Sequence, residues 1–397
     1  MRGFYHDTGM VKVLSGVRRC GKSCLMQTIS DELIESGIKR EQMIFLDLDD
    51  KKNRKIKDVD SLEELIDSRS VFDGVKYLFI DEIQNVPDFE ELINAYRNEG
   101  DFSIFITGSN SYLLSGELAT KLTGRYIEFD IFPLTFEEYL EMKEFYGYEV
   151  HADLTRELDD YILEGGFPKT LEYKTLEDKR TYVGSVIEEI IEKDIKRRKK
   201  IRNMTEFNKI MTYMINNFGA PTNLSNIVED LHKGGSRIKR ETIARYVQIL
   251  VDAKILYPCE RFDLKSRKSL NGNQKYYLAD LSFYFVTNTD NRINYGPVLE
   301  NIVYLYARSK GYSVGIGKIG NLECDFILRG TDLSYSYVQV CTTIMDSRKT
   351  EDREYRPFEK IHDNYPKYLL TRNDMLQKRD GIIHANIGPF MRLGTMF

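Results

Sequence analysis

The chain has 397 residues, with 57 Lys or Arg against 62 Asp or Glu for a formal net charge of −5, and is 42% hydrophobic and 30% charged. That composition excludes wholesale disorder and a uniformly basic surface made for nucleic acid, and the length predicts two or three domains. No apolar run approaches the ~18 residues a membrane helix needs, so no membrane association is expected, and Arg2, His6 and Asp7 interrupt the N-terminus where a signal sequence would be apolar.

Val11 to Ser15 reads as a short strand and leads directly into Gly16-Val17-Arg18-Arg19-Cys20-Gly21-Lys22-Ser23, the full Walker A pattern G-x-x-x-x-G-K-[ST]. Its glycines let backbone N–H groups curl around phosphate oxygens, Lys22 can reach the β- and γ-phosphates, and the Ser23 hydroxyl can ligate Mg²⁺. Residues 16–24, Cys24 included, are therefore the expected nucleotide-binding set. Leu25, Met26, Ile29, Leu33 and Ile34 then recur at helical spacing, with Gly37 as the stop, so a helix N-terminus lies under the phosphates. Met43 to Leu48 is a further strand. Tyr77-Leu78-Phe79-Ile80-Asp81-Glu82 reads as a strand buried on both faces, with two carboxylates at the end where parallel sheets place ligands. It is the expected Walker B element: Asp81 holds Mg²⁺ and Glu82 polarises the attacking water. Asp88 to Asn98 is a helix, and Ser103 to Thr107 and Tyr126 to Ile131 are strands. The alternation predicts a P-loop three-layer α/β sandwich with a parallel sheet. Thr107-Gly108-Ser109-Asn110 could sense a γ-phosphate or be a plain polar turn.

These motifs, in this order, resemble the AAA+ ATPases. Further matches at Phe79 to Gln84, Ile106 to Asn110, Leu122-Thr123-Gly124-Arg125, Phe132-Pro133-Leu134 with Glu137, and Gly165-Gly166-Phe167-Pro168 narrow the resemblance. They point to the bacterial and archaeal members that carry an uncharacterised C-terminal domain. The resemblance spans nearly the whole chain and implies binding of ATP and its hydrolysis through Lys22, Ser23, Asp81 and Glu82. It makes Ser109 or Asn110 the first sensor and Arg125 the positional candidate for an arginine finger, with a surface salt bridge as the alternative. One departure is that strand-forming sequence starts about ten residues from Met1, where relatives have a helix upstream. The adenine pocket is then either incomplete or built by the later helical region.

From 135 to 200 the pattern turns helical, as a lid: Phe136 to Phe145, Leu154 to Leu163 and Lys179 to Arg198. Helices at Met204 to Phe218, Leu224 to Leu231 and Arg240 to Asp252, a turn at Gly234-Gly235 and strands at Ile255 to Glu260 and Lys275 to Leu278 predict a winged-helix-like domain over 201–290. Lys239, Arg240 and Arg245 would face DNA, and protein docking is the alternative. Over 291–397 a helix (Leu299 to Lys310) and three strands carry Glu300 and Asp325, similar to the restriction-endonuclease-like core. The third element reads Gln339-Val340-Cys341, without the carboxylate and lysine of that site, so a small degenerate nuclease-like α/β domain is expected and cleavage is not.

The domain reading is thus 1–134 for the ATPase core, then 135–200, 201–290 and 291–397. Residues 191–246 hold 13 Lys or Arg and 6 Asp or Glu, a net +7 that leaves −12 for the rest. Such a run is a solvated helix face or a DNA or protein contact. Five cysteines without a Cys-x-x-Cys pair predict neither a disulfide framework nor a zinc ribbon, and hence a cytoplasmic protein. The leading expectation is an ATP- and Mg²⁺-dependent switch or motor acting on a partner, able to form a homo-oligomer. A non-hydrolysing nucleotide-gated adaptor and an ATP-regulated nuclease are the alternatives.

Overall fold

The computed structural model describes residues 1–53, 55–108, 122–196, 201–233, 235, 237–266, 268–288 and 293–397, with backbone alone at 268–273. The sensor candidates Ser109 and Asn110, Gly234, and Arg197 to Lys200 of the basic run lie outside the described residues.

The chain divides into two units, the first comprising Met1–Ile131 with Asp252–Lys254. Strands β1 (Val11–Ser15), β2 (Met43–Asp47), β3 (Lys76–Asp81), β4 (Phe102–Thr107) and β5 (Tyr126–Asp130) form one sheet in the order β2-β3-β4-β1-β5, every pairing parallel. Helices α1 (Lys22–Glu35), α2 (Val59–Arg69) and α3 (Phe89–Glu99) complete the α/β sandwich. On one face Val13, Leu46 and Ile80 pack with Leu62 and Ile66 of α2 and Ile93 of α3. On the other, Leu14, Phe79 and Phe105 pack with Met26, Ile29 and Leu33 of α1. Both faces are covered, which is why β3 and β4 are buried throughout and read as apolar runs rather than alternating patterns. Phe79 stacks on Phe105 at 4.8 Å and on Phe45 at 5.7 Å between ring centroids, so truncating it to Ala should cost about 3–5 kcal/mol. Because the strands are parallel, all their C-terminal ends lie on one side, and that side carries both sequence motifs.

The second unit comprises Phe132–Val251 and Ile255–Phe397. It begins with α4 (Phe136–Phe145), α5 (Leu154–Glu164) and α6 (Leu176–Glu189), the last running on into a π-helical segment, Ile190–Lys196. A capping box starts α4: Thr135 Oγ1 accepts from Glu138 N, and Glu138 Oε2 accepts from Thr135 N at 2.8 Å. The helix expected from Lys179 instead starts at Leu176, because Thr175 caps it by accepting from Asp178 N at 3.1 Å. Helices α7 (Met204–Asn216), α8 (Leu224–Lys233) and α9 (Arg240–Asp252) precede a hairpin of β6 (Leu256–Asp263) and β7 (Lys268–Leu278). Then come α10 (Ser282–Thr287), α11 (Tyr295–Ser309), β8 (Ser313–Ile319), β9 (Leu322–Arg329) and β10 (Tyr335–Val340). The chain ends with α12 (Arg348–Glu359), β11 (Lys367–Thr371), β12 (Lys378–Arg379), β13 (Ile382–Asn386) and α13 (Ile387–Arg392).

These strands make one mixed sheet in the order β12-β13-β11-β10-β9-β8-β6-β7. The boundary expected between 290 and 291 does not divide it, since Arg261, Phe262 and Asp263 of β6 pair in parallel with Ile316, Gly317 and Lys318 of β8. Pairing between segments so far apart in sequence leaves no local periodicity to read. Among the described residues no helix is long and apolar enough to cross a membrane.

Candidate functional site

In the first unit, buried β1 delivers the chain to Gly16, whose φ of +156° and close neighbour both exclude a side chain: a Cβ there would stand 2.2 Å from the Ile131 carbonyl oxygen. The loop turns through Arg19 (φ +68°) and Gly21 (φ +108°) into α1. Among the described residues no side chain caps α1, which leaves its first N–H groups available to an anion. Lys22 folds back over the loop and donates to the Gly16 carbonyl at 2.9 Å and the Val17 carbonyl at 3.0 Å. Val17, Arg18 and Cys20 are buried, while Arg19, Ser23 and Cys24 are exposed on the rim and first turn. Burial pushes the Cys20 thiol up from its ordinary value, which makes it a packing group rather than a nucleophile.

The second motif emerges on the same side of the sheet, two strands away. Asp81 is 4% exposed and accepts from the Thr107 hydroxyl, which in turn accepts from Glu82 N at 3.0 Å. Thr107, at the end of the intervening β4, thus ties the two acidic residues together. Glu82 has a left-handed backbone (φ +55°), and its carboxylate accepts from Gln84 Nε2 and lies 3.9 Å from Arg18 Nη2. In the sequence Arg18 stands only as a loop position and Gln84 only as the last residue of the Phe79 to Gln84 motif, without a role of its own. The signal for Gln84 was its place two residues beyond Glu82, within reach once the chain turns at Glu82. Asp47, in register with Asp81, is raised from its ordinary carboxyl value by burial, against a hydrogen bond from Asp49 N.

Arg125 is placed differently. It precedes β5, which runs from Tyr126 beside Val11 to Asp130 beside Ser15. It therefore stands at the opposite end of the sheet from the phosphate loop, ~17 Å away along five residues of strand. Its exposed guanidinium lies 3.4 Å from Asn94 Oδ1. An arginine there lies out of reach of the phosphate loop of its own chain, so the finger role expected of it would act between chains.

The second unit gathers its own acidic cluster. Glu300 on α11 and Asp325 on β9 are brought near each other, as expected, but Lys275 of β7 stands beside them. Its Nζ lies 3.0 Å from Glu300 and 3.1 Å from Glu323. Tyr277 also donates to Glu300 at 2.8 Å. Asp325 is buried, accepts from Val340 N at 2.8 Å, and is held well above the ordinary carboxyl range by burial and by Glu300. Gln339 donates to Glu354 at 3.0 Å and accepts from Asp325 N at 3.2 Å. Burial raises the Cys341 thiol. Lys275, Glu323 and Glu354 were missed because each lies on an element outside the helix-and-three-strand pattern or reads as a surface charge. Among the described residues no group of three or more His, Cys, Asp or Glu could hold a metal ion.

Two further motifs meet in backbone packing. Leu134 N donates to the Gly166 carbonyl at 2.7 Å, and the Tyr161 hydroxyl to the Leu134 carbonyl at 2.7 Å. Buried Asp280 accepts from Gly166 N at 2.6 Å and Ser282 N at 2.9 Å. A Cβ on Gly165 would lie 2.1 Å from Asp280 Oδ1, and one on Gly166 2.3 Å from the Leu134 oxygen. Phe132-Pro133-Leu134 and Gly165-Gly166-Phe167-Pro168 are thus two sides of one clamp, and Glu137 pairs with Lys310 at 2.8 Å. In the basic segment, Lys193 pairs with Glu189 at 2.7 Å and Lys196 with Glu192, each on its own helix. Arg202, Arg237 and Arg245 line a cavity of about 610 Å³ with Glu206 and Glu241, while Lys239 and Arg240 are exposed at the start of α9.

Residues 8–140 match the family model of an AAA domain, and residues 155–290 that of a domain of unknown function, DUF8612. An uncharacterized protein of Haemophilus influenzae is 34% identical over 372 residues, covering 92% of this chain and 90% of its own length. The uncharacterized protein MJ1544 of Methanocaldococcus jannaschii is 29% identical over 378 residues, covering 92% and 82%. Among solved structures, the Walker-type ATPase PABY2304 of Pyrococcus abyssi aligns with 70% of this chain and 90% of its own, at 15% identity and a TM-score of 0.49.

Proposed function

The chain belongs to the same family as the uncharacterized Haemophilus influenzae protein and carries a P-loop ATPase domain of the AAA type, and from that premise we propose that it binds and hydrolyses ATP with Mg²⁺ as a switch or motor acting on a partner. The observation that carries the reading is the common origin of the phosphate loop and the Asp81–Glu82 step on one side of a parallel sheet, with Thr107 bonded to both acidic residues.

The site fits the absent groups. Gly16 lets the loop pack against the Ile131 carbonyl as it turns, and Lys22 rests on carbonyls that a phosphate oxygen could replace. Ser23 and Asp81 would hold Mg²⁺, which supplies charge neutralisation to the phosphates. Glu82, its backbone fixed by Thr107, would orient the water. Residues 16–24 would surround the phosphates, and Asn110 would sense the γ-phosphate. Glu82→Gln should keep nucleotide affinity and lower turnover by about 10²-fold or more. Unchanged turnover would overturn the assignment of Glu82.

A specific observation favours the second reading, a nucleotide-gated adaptor that does not hydrolyse: Glu82 is already engaged by Gln84. Turnover measured against protein concentration separates the two. A rise with concentration that Arg125→Ala removes supports a homo-oligomeric ATPase, whereas tight binding without turnover at any concentration supports the adaptor.

The remaining modules follow as proposals. Residues 135–200 form a helical lid, and α7 to α9 with the hairpin support a winged-helix-like reading of 201–290, with 191–246 as its DNA- or protein-facing segment. Residues 291–397, with the β6–β7 hairpin paired onto their sheet, read as a degenerate restriction-endonuclease-like domain, supported by Glu300 and Asp325 beside each other. Lys275 occupies Glu300 and Glu323 as their counter-ion, so plasmid cleavage is not expected. Cytoplasmic residence is proposed with the same reading.

A further inference from the structure

Within the second unit a cleft of about 1060 Å³ opens between the end of β6, the β8–β9 turn, the start of β10 and the C-terminal turn of α12. One wall is aromatic. Phe262 and Tyr335 are half-buried, and Tyr365 is 39% exposed, its ring set against that of Tyr335 at 5.5 Å and 67°. Such an edge-to-face pair fixes the Tyr365 ring while leaving ring surface toward the cleft.

The rim is cationic. Arg356 and Lys360 are four apart at the end of α12 and so share a helix face, and Lys265 stands on the β6 side; all three are exposed. None of the three pairs with a carboxylate among the described residues. The carboxylate of the lining, Asp363, is already engaged, accepting from the Tyr337 hydroxyl at 2.5 Å and from Tyr365 N at 3.2 Å. The cleft therefore combines flat ring faces with an excess of positive charge, three cations against one carboxylate.

We propose that this cleft binds single-stranded nucleic acid, with bases against Tyr365 and Tyr335 and phosphates along Lys265, Arg356 and Lys360. Both halves of the lining decide the occupant. An acidic protein segment would satisfy the cations but has no use for exposed ring faces, and duplex DNA keeps its bases stacked and away from them. Unstacked bases with a phosphate backbone use both, without reading sequence. The site is separate from 191–246 and independent of the nucleotide reading.

The test uses the full chain and fluorescence anisotropy of a labelled oligothymidylate across salt concentrations, with a duplex of equal length and polyglutamate as competitors. The single strand should bind in preference to both, with a slope of log K on log salt near −2, as three phosphate contacts give at ~−0.7 each. The double variant Arg356→Ala/Lys360→Ala should reduce that slope by about 1.4 and weaken binding about tenfold or more. Tyr365→Ala should weaken binding about tenfold at an unchanged slope, and Tyr365→Phe should restore it. Because all these positions are exposed, thermal melting should match wild type. The proposal is overturned if these variants bind as wild type while Arg245→Ala abolishes binding, or if duplex or polyglutamate competes as well as the single strand.

Discussion

Lys22 in the phosphate loop and Lys275 in the second sheet are each 5% exposed, and each holds two oxygens at nearly equal distances. For Lys22 these are backbone carbonyls at 2.9 and 3.0 Å; for Lys275 they are carboxylates at 3.0 and 3.1 Å. An ammonium resting on carbonyls has no counter-ion beside it and can take an incoming anion, whereas one between two carboxylates is already matched. Burial alone would lower the Lys275 pKa, but Glu300, Asp325 and Glu323 outweigh it and hold the group above the ordinary lysine range. The partner, not the burial, separates a ligand-binding lysine from a structural one.

Removing the paired lysine should have the largest effect. Lys275→Met leaves the largely buried Glu300 without its counter-ion, while Glu323 keeps Arg261, and should cost about 3 kcal/mol in urea denaturation, partly recovered by adding Glu300→Gln. A silent Lys275→Met would erase the distinction. Lys22→Ala should instead leave stability within error of wild type and lower nucleotide affinity by about 10²-fold in a binding titration. A large loss of stability there would mean that the loop carbonyls need the ammonium structurally.

Lys12 sharpens the comparison, because its buried Nζ also has neutral acceptors: the Asp7 and Met10 carbonyls and the Ser103 hydroxyl. Burial pushes it down to about 7, against the attraction of Asp7. Its folded pKa lies below its unfolded value, so between about pH 7 and 10 the unfolded chain binds more protons and stability rises with pH. We expect a gain of roughly 1–3 kcal/mol over that window, absent in Lys12→Met. Lys275 has the opposite sign: its contribution is full below its unfolded pKa and is lost only as pH climbs through the raised folded value. The smallest effect belongs to the exposed Arg125. Arg125→Ala should change stability by less than about 0.5 kcal/mol and affect turnover only where turnover depends on protein concentration.

The first unit was largely legible. Covered on both faces, its strands announce themselves as apolar runs, and the Walker A spacing specifies loop, helix and lysine together. The partners of Glu82 were not, because Arg18 reaches it only after the sheet brings β1 and β3 to the same side. In the second unit the helices appear close to their expected bounds, since Thr135, Asp153 and Asn203 cap them from the sequence itself. Its chemistry was hidden. Lys275 reads as an ordinary strand lysine until α11 and β9 fold against it, and Asp280 lies more than a hundred residues from the Gly166 it receives. Beyond Cys341 a short charged helix and brief strands give little periodic signal.

The parallel pairing of β6 with β8 bears on how the chain tolerates being shortened. A fragment ending near residue 290 would keep the β6–β7 hairpin but lose β8, leaving the N–H and C=O groups of residues 261–263 open to solvent along an edge. Such an edge is a template for any passing strand. The fragment should self-associate where the full chain does not at that site, so the final hundred residues act as a cover that keeps the hairpin from pairing out of turn.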